Sequence, residues 1–268
     1  EVIMTTVLKF TTAAFCVSLL AACSNESTTN TKTTAAPNSS TSQKELIIAT
    51  ESSFKPFSYL DKQGQLVGFE IDLANALCKQ MQADCQIVSQ DWDSLIPSLN
   101  ANKSDAIMAG MSITEERLNA VDFSEPYFDN TLVLIGKKDN TATINDIAGK
   151  AVATQQATVS AEYLQKHYPD ANIKTYDKQD NAYLDLTAGR VEFMLSDVVP
   201  ATDWLATEAG SEFEIKGMPI DIGDKVGIAV RKDSSLKADF DAALASLKTN
   251  GKYDEIVAKY FNSQALGQ

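Results

Sequence analysis

Residues 69–108 read FEIDLANALCKQMQADCQIVSQDWDSLIPSLNANKSDAIM and alternate between helical and strand-like apolar patterns. Together with the residues just before them, they divide into strand, helix, strand, helix and strand at 46–49, 69–81, 86–88, 94–101 and 105–108. The first helical run carries an apolar residue at every fourth position from Phe69 to Met81, as a core-facing stripe does. A βαβαβ order builds a parallel sheet with right-handed crossovers and helices on both faces. We therefore predict an α/β fold.

The alternation restarts after Asn130 and predicts a second α/β lobe. Its strands are expected at 131–135, 151–153, 172–174, 191–195 and 225–230, with helices at 160–167, 180–188 and 198–205. The tail is predicted to be helical at 236–247 and 253–260, without a strand of its own, so we expect it to pack on the first lobe. The chain would then cross between the lobes twice.

The N-terminal residues have the composition of an export signal. Residues 4–20 hold one basic residue, Lys9, followed by an apolar run at 10–20 that is too short to span a bilayer. We interpret residues 1–22 as a signal peptide.

The segment Leu20-Ala21-Ala22-Cys23 resembles the bacterial lipoprotein box, in which the cysteine is acylated and becomes the mature N-terminus. The alternative is a plain secretory peptide that leaves Cys23 as an ordinary thiol. Residues 24–43 are almost wholly Ser, Thr, Asn, Ala and Lys, which cannot bury enough apolar surface to fold. We expect residues 23–43 to be a flexible tether. The lipid on Cys23 would hold the protein on a membrane of the cell envelope, facing the periplasm or the cell exterior.

The chain is acidic, with a formal net charge of -13 at pH 7. Removal of residues 1–22 leaves this charge unchanged, because they contain one acid, Glu1, and one base, Lys9. An acidic surface repels phosphate backbones, and the basic pairs at 137–138 and 231–232 are too short to form a basic patch. Nucleic acid is therefore excluded as a partner.

The cysteines that follow Cys23 are Cys78 and Cys85, and an even pair in an exported chain favours a disulfide. Seven residues of continuous helix would separate their Cα atoms by about 10 Å, which is beyond disulfide reach. The helix must therefore end near Met81. A metal site is the rival, but two cysteines and the distant His167 do not make a tetrahedral ligand set. We expect no metal.

Ten residues, most of them polar or aromatic, follow the ends of the predicted strands, where ligands bind in open α/β sheets. They are Glu51, Phe54, Trp92, Gly110, Ser112 and Arg117 in the first lobe, and Gln155, Thr158, Val159 and Asp197 in the second. Two lobes that face each other across a cleft would bring both sets together.

Arg117 is expected just inside a helix start, because Thr114 and a capping box that begins at Ser112 both precede it. Stability alone does not favour a cation near the positive end of a helix dipole, whereas a bound anion does. Helix amides and a guanidinium together form a carboxylate receptor. The alternative is that Arg117 pairs with a neighbouring acid: Glu115, Asp122 or Glu125.

Asp197 ends an otherwise apolar strand, where its carboxylate can accept hydrogen bonds from an ammonium group. Alternatively, it caps the helix that follows. Phe54 and Trp92 can clamp a flat or cationic side chain by stacking, or they can fill the core.

Six segments of the chain form a series of motifs. They are ESSFKPF at 51–57, GQLVGFEIDLA at 64–74, DSLIPSL at 93–99, MAGMSITEER at 108–117, DLTAGR at 185–190 and NGKY at 250–253. In this order they resemble the family 3 periplasmic amino-acid-binding proteins, from about residue 46 to residue 261. The branch they are most similar to comprises the arginine-, lysine/arginine/ornithine- and histidine-binding proteins.

The resemblance implies a site for the part of the ligand that all amino acids share. Arg117 matches the arginine that holds the α-carboxylate, with Ser112 beside it and Gly110 contributing a backbone group. Asp197 matches the aspartate that receives the α-ammonium.

The resemblance also implies contacts to the ligand side chain, where Phe54 matches a stacking aromatic and Glu51 an acid that meets a basic group. The family usually reads Gly-Thr-Thr where this chain has Ala157-Thr158-Val159. Because Val159 lacks the hydroxyl, only its N–H, with help from Thr158, is left to serve the carboxylate.

The implied architecture is a two-lobed periplasmic-binding-protein fold, in which each lobe is a mostly parallel sheet flanked by helices and two hinge strands join the lobes. The first lobe would comprise 44–130 and 231–268, and the second 131–230. Hinge closure would capture a free amino acid, and an ABC permease with its ATPase would recognise the closed form. The resemblance implies no cofactor and no catalytic residue, and we expect a monomer.

Four residues are expected around the ligand side chain: Glu51, Phe54, Trp92 and Gln155. An acid, two aromatics and an amide suit a planar cation, so we expect arginine ahead of lysine and ornithine, with histidine next. A neutral polar amino acid is the alternative ligand. An enzyme on the same fold, such as a dehydratase with Glu51 as proton donor, is the alternative function. We expect no transmembrane helix or kinase region after Gln268, which disfavours a sensory ectodomain.

Overall fold

The computed structural model describes residues 44–261, so the predicted signal peptide, acylated Cys23 and tether lie outside the described residues. The strands are β1 (Lys44–Thr50), β2 (Ser53–Phe54), β3 (Ser58–Leu60), β4 (Leu66–Val67), β5 (Ala83–Ser89), β6 (Ala106–Ile107), β7 (Val121–Phe123), β8 (Phe128–Lys137), β9 (Ala151–Gln155), β10 (Asn172–Tyr176), β11 (Phe193–Asp197), β12 (Phe213–Ile215), β13 (Ile220–Val226) and β14 (Ala229–Arg231). The helices are α1 (Phe69–Gln80), α2 (Leu95–Asn100), α3 (Glu115–Leu118), α4 (Val159–His167), α5 (Gln179–Thr187), α6 (Val198–Leu205), α7 (Leu236–Thr249) and α8 (Lys252–Tyr260). The predicted α/β fold is confirmed.

The first sheet has the strand order β5-β1-β6-β14-β7. β1 is parallel to β5 and β6, whereas β14 is antiparallel to β6 and β7. Apolar clusters cover both faces: Ile48 packs with Leu73 on one side, and Ile107 packs with Leu95 on the other. We call this sheet and its helices the first lobe.

The second sheet has the order β10-β9-β11-β8-β12, and β13 also pairs with β8. β9 is parallel to β10 and β11, whereas β8 is antiparallel to β11, β12 and β13. Its two faces are covered by clusters around Met194 and Phe193. We call this sheet and its helices the second lobe. Both sheets contain more antiparallel pairs than the sequence predicts. The reason is that the chain enters the second sheet through β8 and returns to the first through β14, and each of these strands is antiparallel to its neighbours.

The predicted strand at 225–230 is wrong as a single element. β13 ends at Val226 in the second sheet, and β14 begins at Ala229 in the first sheet. The apolar pattern continues through this segment because both strands are buried, although the chain passes from one sheet to the other between them.

The tail helices pack on the first lobe, where the sequence places them. Phe240 and Leu244 of α7 and Ile256 of α8 lie in the same apolar cluster as Phe69 and Leu77 of α1. The stripe on α1 therefore faces both the first sheet and the tail.

A disulfide joins Cys78 of α1 to Cys85 of β5. The helix ends at Gln80 and the chain reverses through Gln82, which has a φ of 55°, so that β5 begins at Ala83. The two Cα atoms are 6.1 Å apart. The structure thus contains the predicted pair and the helix end that this pair requires.

Candidate functional site

The carboxyl ends of strands from both lobes surround one cavity, with β1, β5 and β6 on one side and β9 and β11 on the other. The residues that line it are Glu51, Phe54, Trp92, Ala109, Gly110, Ser112, Arg117, Thr154, Gln155, Thr158, Val159, Ser160, Gln179, Leu195, Ser196 and Asp197. All the candidates that the sequence places after strand ends are among them. Their roles toward a ligand remain predictions.

Arg117 lies in α3, a single helical turn capped by Thr114, whose Oγ1 accepts the Arg117 N–H at 3.2 Å. The expected cap at Ser112 is wrong, because its hydroxyl donates to Asp224 Oδ2 at 3.0 Å. The Arg117 guanidinium donates to the Ser112 carbonyl at 2.8 Å and to the Ala157 carbonyl at 2.9 Å. Its hydrogen-bond partners are therefore neutral.

No acid in the described part of the chain forms an ion pair with Arg117. Asp122, one of the candidate partners, pairs instead with Lys232 at 2.7 Å. Burial lowers the pKa of Arg117, and nearby acids, Glu162 first among them, act against this effect. A buried cation without a paired carboxylate can receive an anion.

Trp92 packs against Arg117. The Arg117 Cζ lies 5.3 Å from the ring centroid, a cation–π distance, and the indole Nε1 donates to the Ala157 carbonyl at 3.2 Å. The indole therefore supports the guanidinium, a contact that the sequence does not predict.

The two lobes meet beside this contact. The Ala157 carbonyl, in the loop that follows β9 of the second lobe, accepts from both Trp92 and Arg117 of the first lobe. Gln156 next to it donates to Asp93 across the cleft. These hydrogen bonds join the lobes and enclose the cavity between them.

Asp197, the last residue of β11, borders the cavity from the second lobe. Its Oδ1 accepts from Asn130 Nδ2 at 2.8 Å, and it makes no capping bond to the described helix α6. Burial raises the pKa of Asp197 to about 7, although the Asn130 hydrogen bond and the charge of Arg117 lower it. Asp197 therefore occupies the N-cap position of α6, as the alternative predicts, but its carboxylate does not make the capping hydrogen bond.

Asn130 and Asp224 link Asp197 to Ser112 through hydrogen bonds. Asn130 Nδ2 also donates to Asp224 Oδ2 at 2.8 Å, and Asp224 accepts from Ser112 as well. Asn130 lies in β8 and Asp224 in β13, the strands next to the two crossings between lobes. The sequence does not predict this chain of contacts, since its members are far apart along the polypeptide.

The N-terminus of α4 presents backbone N–H groups to the cavity. Thr158 caps this helix, with its Oγ1 donating to the Gln155 carbonyl at 2.7 Å and accepting from the Ala161 N–H at 3.3 Å. The first N–H groups of a helix have no intrahelical acceptor, and Val159 and Ser160 both line the cavity. This helix start therefore favours an anion.

Glu51 is a buried acid from the first lobe. Its Oε2 accepts from Ser53 Oγ at 3.1 Å and from Gln155 Nε2 at 3.3 Å. Burial raises the pKa of Glu51 to about 7, the two hydrogen bonds lower it, and the charges of Glu70 and Asp180 raise it further. Among the described residues, no cation contributes to this shift.

The cavity therefore has two chemically different ends. The Arg117 end, as we call it, comprises Ser112, Arg117, Thr158, Val159 and Asp197. The Glu51 end comprises Glu51, Gln155, which donates a hydrogen bond to it, and Phe54, which lies three positions further along the chain in β2. Arg117 and Asp197 perturb each other's pKa, and neither is among the groups that perturb the pKa of Glu51.

Phe54 and Gly110 pack against each other in the cavity wall. Gly110 has a φ of 61°, and a Cβ atom there would lie 2.4 Å from the Phe54 ring, so glycine is required for this approach. The ring also stacks on Phe57 at a centroid distance of 5.2 Å. Phe54 thus belongs to both the core and the cavity.

The cavity also contains residues that the sequence does not predict: Ala109, Thr154, Ser160, Gln179, Leu195 and Ser196. Ser160 and Ser196 are adjacent to predicted residues. They would be found if the search for residues after strand ends included one more position on either side. Gln179 is the first residue of α5, which follows β10, and the sequence analysis names no candidate residue after that strand. The Oε1 of Gln179 accepts from Ser196 Oγ at 3.2 Å.

Comparison with known protein families identifies the fold family. Residues 46–263 match the bacterial extracellular solute-binding proteins, family 3. The chain belongs to this family. The motifs at 51–117, 185–190 and 250–253 indicate the same family, and that prediction is confirmed.

Several known proteins are similar to this chain over most of its length. ABC transporter arginine-binding protein 1 of Escherichia coli K12 is 39% identical over 212 residues, which cover 78% of this chain and 87% of the relative. A Salmonella typhimurium periplasmic binding protein, solved to explain high arginine specificity, is 35% identical with a TM-score of 0.78, covering 82% of this chain and 100% of that chain. An ancestral arginine-binding protein bound to arginine is 36% identical with a TM-score of 0.78, and the match covers 82% of this chain and 99% of that chain. A further similar structure is that of an ancestral arginine-binding protein bound to glutamine.

As a member of family 3, this chain is an exported solute-binding protein and not an enzyme. The dehydratase alternative is therefore set aside. Within residues 44–261, no helix has the length and apolar character needed to cross a membrane.

Proposed function

We propose that this family 3 protein captures a free amino acid between its two lobes, prefers arginine, and delivers it to an ABC permease with its ATPase. The observation that carries the proposal is the charge pattern of the cavity, with Arg117 and Asp197 at one end and the buried acid Glu51 at the other. An amino acid with a cationic side chain has the complementary pattern. The arginine-binding relatives support the same ligand class.

The Arg117 end suits the α-carboxylate and α-ammonium groups of the ligand. A guanidinium has five N–H donors. Two of those of Arg117 donate to the backbone carbonyls of Ser112 and Ala157. The remaining donors and the amides at the start of α4 can hold a carboxylate. Asp197 would accept the ammonium, whose positive charge favours the ionised carboxylate.

The Glu51 end suits a guanidinium group. Ionised Glu51 lacks a nearby cation among the described residues, so a ligand cation would supply the missing countercharge. Phe54 offers a flat surface on which a planar guanidinium stacks better than a compact ammonium. These features favour arginine over lysine and ornithine.

A neutral polar amino acid is the second candidate ligand. The amides of Gln155 and Gln179 lie in the cavity wall, and the raised pKa of Glu51 lets it donate a hydrogen bond as a neutral acid. The ancestral relative bound to glutamine is consistent with this possibility.

Capture by closure is supported by the hydrogen bonds that the Ala157 carbonyl receives across the cleft. In the predicted lobe boundaries, 44–130 with 231–268 and 131–230, these partners belong to different lobes, so that hinge closure would bring them together. Acylation of Cys23 would anchor a monomer to a membrane of the cell envelope, so that the closed lobes can reach the permease.

A thermal-shift screen of the common amino acids with ornithine and citrulline tests the ligand assignment. Arginine is expected to raise the melting temperature most, because ligand that binds the folded state stabilises it by mass action. Chromatography of the same samples should recover the amino acid unchanged. Absence of a shift with every α-amino acid would contradict the proposed function.

Anchoring has its own test in cells. Cys23→Ser is expected to abolish incorporation of labelled palmitate and to release the protein from the membrane fraction. Incorporation of palmitate into this variant would contradict acylation at Cys23.

A further inference from the structure

Glu70 is a buried acid behind the cavity that the proposed function does not use. It is only 1% exposed and lies in the first turn of α1. Its Oε1 accepts from the Gly110 backbone N–H at 2.6 Å and from the hydroxyl of Tyr127. Its Oε2 has no hydrogen-bond partner among residues 44–261.

These contacts hold a part of the cavity wall from behind. Gly110 lines the cavity and packs against the Phe54 ring, so its backbone position determines where that ring and the adjoining loop to Ser112 lie. Without Glu70, the Gly110 N–H would be buried without an acceptor, which is unfavourable enough to displace the loop.

We propose that Glu70 is a positioning residue that sets ligand affinity through its hydrogen bond to Gly110. This inference rests on the proposed function, because it takes an amino acid as the ligand. Glu70 itself does not line the cavity, whereas Gly110, Phe54 and Ser112 do. Its charge acts through space on Glu51, and any other effect on the ligand must pass through the loop.

Burial raises the pKa of Glu70 to about 7, and the hydrogen bonds from Tyr127 and Gly110 lower it. Both hydrogen bonds end on the same oxygen, so the carbonyl oxygen of a neutral acid can also accept them, although a carboxylate accepts them more strongly. The acceptor atom at this position, and not the negative charge, is what the geometry requires.

Three variants separate positioning from general stability. Tyr127→Phe removes the hydroxyl and leaves the Gly110 hydrogen bond in place. The double variant Tyr127→Phe with Glu70→Met replaces both members of the buried polar pair by apolar groups and leaves only the Gly110 N–H without an acceptor. Glu70→Gln keeps an oxygen acceptor of the same reach.

Calorimetric titration with arginine and the melting temperature are measured for each variant beside the unmodified protein. Tyr127→Phe and Glu70→Gln are expected to bind within about threefold of the unmodified protein, while the double variant weakens by at least about tenfold at a melting temperature close to that of Tyr127→Phe. Equal affinity in the double variant and Tyr127→Phe would overturn the inference. A tenfold loss of arginine affinity in Glu70→Gln would also overturn the inference. If the double variant does not fold, the affinity of Glu70→Gln alone decides the test. If the unmodified protein binds no amino acid, the proposed function fails instead.

Discussion

The two ends of the cavity differ in how their charges are balanced. At the Arg117 end, a cation and the acid Asp197 act on each other, and each also has neutral hydrogen-bond partners. At the Glu51 end, the acid has an amide and a hydroxyl as partners, and further acids raise its pKa. The first end matches the groups that every amino acid carries, and the second end matches the group that distinguishes one amino acid from another.

This difference assigns general recognition and specificity to separate residues. A change at the Arg117 end should weaken all ligands alike, because all of them carry the same carboxylate and ammonium. A change at Glu51 should weaken only cationic ligands. Experiments that compare two ligands in one variant can therefore test whether the two ends act separately.

The largest expected effect is at the Arg117 end. Arg117→Ala or Asp197→Ala is expected to abolish measurable binding of arginine and glutamine. Without Arg117 the bound carboxylate is buried without a cation, and without Asp197 the bound ammonium is buried without an anion. Either loss costs about 3–5 kcal/mol. Isothermal titration calorimetry measures the loss, and circular dichroism checks that the fold persists.

Arg190→Ala serves as the matched control, since it removes an exposed arginine that pairs with Asp185 in the second lobe. Exposed ion pairs contribute about 0–1 kcal/mol, so this variant should bind normally. Near-normal affinity in both Arg117→Ala and Asp197→Ala would show that the carboxylate and ammonium sites lie elsewhere.

The next effect is at the Glu51 end. Glu51→Gln keeps the shape and the hydrogen-bonding capacity of the side chain but removes its charge. It is expected to weaken arginine by about 1–3 kcal/mol and to leave glutamine nearly unchanged. Calorimetry with both ligands measures the two losses. An equal loss for both would mean that Glu51 acts on the cavity as a whole.

The dependence on pH should also separate the two ends. With a pKa of about 7, Glu51 must lose a proton before it can pair with a cation. Arginine affinity is therefore expected to fall as the pH falls below 7, by up to about tenfold per unit for each acid that must ionise. Ionisation of Asp197 contributes to this loss of affinity for every ligand. The affinity for arginine should therefore depend more steeply on pH than the affinity for glutamine, and the difference measures the contribution of Glu51. Identical slopes from pH 5 to pH 8 would contradict the assignment.

The ligand-free protein should show the opposite trend in stability. Burial raises the pKa values of Glu51, Glu70 and Asp197 to about 7 from their ordinary values of 4.5, 4.5 and 3.8. The folded state then binds more protons than the unfolded state, so the free energy of unfolding should fall as the pH rises through this interval towards 7. Chemical denaturation at pH 5, 6, 7 and 8 measures this slope, and a rise in stability over the interval would contradict the burial of these acids.

The smallest expected effect tests the position of Trp92. Trp92→Phe removes the Nε1 donor to the Ala157 carbonyl and weakens the contact with Arg117, so affinity should fall by about 0.5–1.5 kcal/mol. Arginine and glutamine are expected to lose equally, because Trp92 supports the Arg117 end. A loss confined to arginine would place the indole against the ligand side chain, as the sequence predicts.

Much of the cavity follows from the sequence because strand ends can be located from apolar runs. Glu51, Gln155 and Asp197 are found this way, since each lies at or directly after the end of a buried strand. A local pattern is sufficient for residues of this kind.

Residues that act through distant contacts are not visible in a local pattern. Asp224 joins Ser112 across 112 positions of the chain, and Glu70 reaches Gly110 across 40. The strands β2, β3, β4, β7 and β12 are also missed, because two or three residues are too few to show an alternating period. Only the assembled sheets bring these groups together.

The most direct measurement of the central claim is the affinity of the unmodified protein for arginine and for citrulline, which replaces the guanidinium by an uncharged ureido group of nearly the same shape. Both ligands present the same carboxylate and ammonium to the Arg117 end, so the difference reports the charge at the Glu51 end. Calorimetry at pH 8 is expected to show arginine binding more tightly by about 1–3 kcal/mol, or roughly 5- to 150-fold. Equal affinities, or tighter binding of citrulline, would contradict the account.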